Sequence, residues 1–130
     1  MKEEFVPYDI ALAMKELRFD KKCMMHWFKG KLSYYKMGDF APSHTPAPLY
    51  QQAFRWFREK YNLIPSVRLH TGYIEDSNFI NELPYFYEIL PRKVTNFMDD
   101  RLKSDYIYRT YEEAQEACLR KLIEIVKKID

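Results

Sequence analysis

Between Met37 and Pro48 the chain carries Gly38, Pro42, Pro46 and Pro48 with small residues between them. Proline fixes φ and removes a backbone donor, so this stretch is neither helix nor inner strand. It divides a chain of 130 residues whose length and apolar content fit one domain, spanning 1–130, with sub-units 1–37 and 48–130 joined by the Pro-rich linker 38–47. A chain of this size buries roughly 65–70% of its unfolded surface, enough for a core without metal or disulfide staples.

Pro7 suits the first position of a helix, and Ile10, Ala13, Met14 and Leu17 follow on one face, so the first helix is expected to end around Arg18 to Asp20. Cys23 to Phe28 and Lys31 to Lys36 are two aromatic-rich runs joined by Lys29-Gly30, the pattern of a β-hairpin with a two-residue turn. A second helix is expected from Pro48 to Tyr61, with Tyr50, Ala53, Phe54, Phe57 and Tyr61 in its apolar stripe and Leu49 and Trp56 widening it. Ser66 to Ile74 alternates as a strand, with Val67, Leu69, Thr71 and Tyr73 on the core side, and Pro84 to Leu90 reads as another. Val94 to Leu102 reads as a short helix, with a loop as the alternative. The last helix starts from Thr110 as N-cap with Glu113 completing a capping box, and its stripe is Ala114, Ala117, Cys118, Leu122, Ile125 and Ile129, broadened by Leu119, Ile123 and Val126. The expected class is α+β: three helices packed on an antiparallel sheet in the order α-β-β-linker-α-β-β(-β)-α.

Two helical stretches carry a resemblance. Ala47-Pro48-Leu49-Tyr50-Gln51-Gln52-Ala53-Phe54-Arg55-Trp56-Phe57-Arg58-Glu59-Lys60-Tyr61-Asn62-Leu63 and Thr110-Tyr111-Glu112-Glu113-Ala114-Gln115-Glu116-Ala117-Cys118-Leu119-Arg120-Lys121-Leu122-Ile123-Glu124-Ile125 together resemble a family of small uncharacterised proteins from gut Bacteroidales, their prophages and their phages. That resemblance covers about half the chain and implies a mobile-element setting in a bacterial cytoplasm. It carries no catalytic residue.

Chemistry-bearing residues are sparse. His26, His44 and His70 have no second ligand at helical or hairpin spacing, so no metal site is expected. Cys23 and Cys118, the two cysteines, lie in apolar patterns and read as reduced packing residues of a cytosolic protein. Three glycines are too few for a phosphate-cradling loop. No cofactor and no catalysis are expected. The start Met1-Lys2-Glu3-Glu4 leads into no apolar run of signal-peptide length, and no window reaches membrane-span length, so neither export nor a membrane partner is expected.

The hairpin is the informative segment. Pairing Phe28 with Lys31 puts Cys23, Met25, Trp27, Leu32 and Tyr34 on a core-like face, and Met24, His26, Phe28, Lys31, Ser33 and Tyr35 on the other. Of these, Met24, His26, Phe28, Lys31 and Tyr35 form the candidate binding surface. Residues 21–36 hold five lysines and no acid, so an aromatic and basic platform for single-stranded nucleic acid is one reading. The other is that the lysines keep an edge strand soluble and the aromatics serve protein contacts. Net charge is only +2, with +4 on residues 1–65 and −2 on residues 66–130, too small a field for general coating of nucleic acid. The helix-strands-helix order of the second half matches a double-stranded-RNA-binding domain, but Glu112, Glu113 and Glu116 stand where such a domain needs positive charge. The favoured expectation is therefore a small accessory protein of a phage or mobile element that binds an unidentified host or phage protein, with nucleic-acid binding second.

Overall fold

A computed structural model describes residues 4–34, 44–69, 85–91, 102–103 and 108–129. Among the described residues it is an α+β chain with three helices and two antiparallel three-stranded sheets, where the sequence implied a single sheet. Two compact units emerge, Met1–Trp56 and Phe57–Asp130. The division falls inside the second helix, not in the Pro-rich segment.

In the first unit, α1 spans Tyr8–Glu16, with Pro7 as its N-cap at φ −65°. It closes in a Schellman motif: the Phe19 N–H donates to the Met14 carbonyl at 3.0 Å and the Arg18 N–H to the Lys15 carbonyl at 2.9 Å. Arg18 takes the left-handed position at φ 70°. Met14 and Phe19, the apolar pair that accompanies this motif, are both buried. On the helix, Ile10, Ala11 and Met14 are buried while Ala13 is half-exposed, a slight rotation of the expected stripe.

Strands β1 (Met25–Phe28) and β2 (Lys31–Tyr34) form the expected hairpin in the expected register, from Phe28 opposite Lys31 to Met25 opposite Tyr34. Lys29 at φ 51° and Gly30 at φ 77° supply the two left-handed residues of a type I′ turn. The end of the Pro-rich segment is not a simple linker: Thr45–Ala47 forms β3, antiparallel to the other side of β1. Sheet order is β2-β1-β3, so Pro46 lies on an edge strand, as proline requires. The two-residue turn makes His26 and Ser33 a hydrogen-bonded pair, turning the backbone groups of His26 towards β2. Pro46, opposite His26 across β3, then has its donorless nitrogen facing the outer edge. Helix α1 packs against β3, and the Val6 N–H donates to the Pro48 carbonyl at 2.9 Å.

Helix α2 (Tyr50–Tyr61) buries Tyr50, Ala53, Phe54, Trp56 and Phe57, the stripe read from its spacing. Asn62, left-handed at φ 58°, stops it. Strand β4 follows at once as Leu63–Leu69, three residues earlier than expected, because Asn62 alone makes the turn. Its partner β5 is Tyr85–Pro91, and β6 is Leu102–Lys103, in the order β4-β5-β6. Pro65 again sits on an edge strand. Leu69, expected in the core, is 55% exposed at the far end of that edge strand. The expected continuation through Thr71, Tyr73 and Ile74 and the short helix over 94–102 lie outside the described residues, except that Leu102 opens β6.

Helix α3 (Tyr111–Ile129) packs against β4 and β5. The Glu113 N–H donates to Thr110 Oγ1 at 3.1 Å, one half of the expected capping box. The buried positions are Ala114, Cys118, Leu119, Leu122, Ile123 and Val126, whereas Ala117 and Ile125 are half-exposed. The stripe is thus rotated towards Leu119, Ile123 and Val126, whose branched side chains bury more apolar area than Ala117 offers. On the exposed side, Glu124 accepts from Lys121 at 3.2 Å and pairs with Lys128 at 3.4 Å. The hydrogen bonds from Lys121 and Lys128 hold its carboxyl below the usual carboxylate value.

Candidate functional site

The hairpin in the structure does not sort its residues as the alternation implied. Met24 is 59% exposed and Lys31 is exposed. His26 is a correction: it is only 4% exposed and forms no part of an open platform. The His44 ring lies against it, centroids 4.6 Å apart, where β3 pairs with the free side of β1 and makes β1 the central strand. Phe28 is half-buried, and the His44 imidazole stacks on its ring at 4.3 Å and 16°. Lys29 Nζ also sits 5.3 Å from the Phe28 ring centroid. Tyr35 lies outside the described residues.

The face assigned to the core is buried at Cys23 and Trp27 and opens at Tyr34. Trp27 is buried there, its indole N–H donating to the Val6 carbonyl at 3.0 Å. Tyr8 of α1, 46% exposed, meets Trp27 edge-on at 6.2 Å. Tyr34, expected inside, is 67% exposed, while Met25 and Leu32 are half-buried. Among the described residues Tyr34 is the last of β2, whose one neighbouring strand is β1, and it lies in solvent although it shares a face with buried Trp27. Tyr8 meets the buried tryptophan directly, Leu32 stands opposite it, and Tyr34 shares its sheet face two positions along, so amphipathic aromatics and an apolar centre lie on one face.

The histidines are the other departure. Pairing β1 with β3 brings His44 beside His26, ring centroids 4.6 Å apart, although the two are distant in sequence. The His44 carbonyl accepts from Lys15 Nζ at 3.0 Å, and its Nδ1 is buried without a hydrogen bond. Only a prediction of the β1–β3 register would have revealed this pair, and three-residue strands with a central proline give almost no periodic signal. Among the described residues no group of three or more His, Cys, Asp or Glu side chains converges as a metal site would require.

Both cysteines are free and buried. Burial pushes the thiols of Cys23 and Cys118 up to about 12 each, which keeps them protonated and poorly nucleophilic at neutral pH. Among the described residues no helix is long and apolar enough to cross a membrane. Comparison with protein-family models, curated proteins and solved structures finds no match, so the site rests on its own chemistry.

Proposed function

We propose that this chain is a non-catalytic accessory protein that binds another protein through the aromatic rim of its hairpin sheet. The observation that carries the reading is Tyr34 at 67% and Tyr8 at 46% exposure around buried Trp27. Tyrosine gives large contact area at small entropic cost and tolerates water in the unbound state. A stacking platform for nucleic acid fares worse on the same geometry. His26 is buried, and one ring face of Phe28 is already covered by His44. The protonated thiols of Cys23 and Cys118 support a non-catalytic role. The resemblance of α2 and α3 to small Bacteroidales and phage proteins supports a bacterial cytoplasm and a mobile-element origin.

A photo-crosslinking phenylalanine analogue at position 34, with position 112 of α3 as control, tests the reading in such a bacterium. The expected result is one protein adduct from position 34, none from position 112, and loss of the adduct on Tyr8→Ala. A labelled mixed-sequence single strand should not bind near physiological salt. Salt-sensitive micromolar binding of that strand, lost on Lys31→Glu, would replace protein binding with nucleic-acid binding.

A further inference from the structure

The geometry points to β2 as an acceptor edge that takes an extended segment of the partner protein as a fourth strand, a segment alternating apolar and acidic residues. This rests on the protein-binding reading above and names the partner's chemistry. Three features of the first unit meet on β2.

The first is the direction of its backbone groups. Phe28 and Lys31 flank a two-residue turn and so form a hydrogen-bonded pair, as do His26 and Ser33. Leu32 and Tyr34, at the alternate positions, turn their N–H and C=O groups away from β1. Among the described residues β1 is the only strand beside β2. An incoming strand thus finds two donors and two acceptors at β spacing, the basis of strand addition.

The second is the sorting of side chains. Leu32 and Tyr34 share the Trp27 face, with Tyr8 at its margin, so alternate residues of the added strand that fall on this face meet apolar surface. Lys31 and Ser33 project to the other face. There the intervening residues of the added strand meet Lys31, with Lys29 at the turn also exposed.

The third is charge. Residues 21–36 contain no acid and five lysines, and Lys21, Lys22, Lys29 and Lys31 are all exposed. Lysine on an edge strand deters unselective pairing. It does so by sign: a second copy of this hairpin brings lysines against lysines, while an acidic strand gains by the same contacts. The charge pattern therefore favours an acidic heterologous segment over self-association.

The test uses the full chain and an eight-residue peptide alternating valine and glutamate, against the same peptide with lysine in place of glutamate. Binding is read by chemical-shift changes of the Leu32 and Tyr34 amides. The glutamate peptide should bind at least tenfold more tightly than the lysine peptide, and Lys31→Glu should reduce that ratio at least tenfold. N-methylation of the peptide backbone at alternate residues should abolish binding in one of the two phases only, since just one set of amides faces β2. Leu32→Pro, which removes an outward N–H and leaves the β1 ladder intact, should weaken binding at least tenfold while the Trp27 indole signal stays unchanged. Equal binding of both peptides, no shift at millimolar peptide, or indifference to N-methylation in both phases would overturn the proposal, as would a dimer of the free chain joined through β2. A position-34 adduct that survives Leu32→Pro would leave protein binding standing and remove strand addition alone.

Discussion

Cys118 sits on the buried side of α3, fully covered, with its thiol raised from the ordinary 9.0 to about 12 by burial. Because the folded value lies above the unfolded one, the associated stability is fully present below pH 9 and is lost as pH rises towards 12. At about pH 10.5 the unfolded chain has released this proton and the folded chain has kept it. At ~1.36 kcal/mol per pH unit, folding then loses about 2 kcal/mol relative to neutrality. Guanidinium unfolding of wild type and Cys118→Ala at pH 8 and pH 10.5, both under reductant, isolates this contribution, because tyrosines, lysines and Cys23 titrate alike in the two proteins. Wild type should lose about 2 kcal/mol more than the variant over that interval. Equal losses would mean that the Cys118 thiol is solvated in the native state, and the placement of α3 on β4 and β5 would have to be redrawn.

Three further outcomes follow from packing and backbone geometry. Phe57→Ala and Leu122→Ala each remove a fully buried side chain and should cost roughly 2–5 kcal/mol by chemical denaturation; melting like wild type in both would refute the core assignment. Thr110→Ala removes the oxygen that caps the Glu113 N–H and should cost about 1 kcal/mol, whereas Thr110→Ser should be close to neutral. Lys29→Asn places a residue tolerant of positive φ in the type I′ turn and should raise stability by up to about 1 kcal/mol, seen as a higher denaturant midpoint.

The parts of this fold legible in the sequence are those with local causes. Lys29-Gly30 dictated a two-residue turn, and the turn dictated the β1–β2 register pair by pair. The spacing of Tyr50, Ala53, Phe54 and Phe57 located the buried face of α2, and Thr110 located the start of α3. What escaped depends on partners far along the chain. β3 is three residues around a proline, and its pairing makes β1 central and brings His44 against His26. The direction of exposure reversed at Tyr34 for the same reason: alternation tells which side chains share a face but not where a neighbouring strand ends. The extent of α3's stripe was similarly ambiguous, since its apolar residues span more than one face and only the sheet beneath selects among them.

Pro46 has a consequence for valency. On the β3 side the first sheet ends in a nitrogen that cannot donate, and α1 packs against the same strand. On the β2 side the ladder ends in the ordinary amides of Leu32 and Tyr34. If β2 takes a strand as proposed, the margin left among the described residues is β3, where the Pro46 nitrogen supplies no donor to a further subunit. Under that proposal the chain is expected to form one-to-one complexes through this sheet and to seed no filament from it.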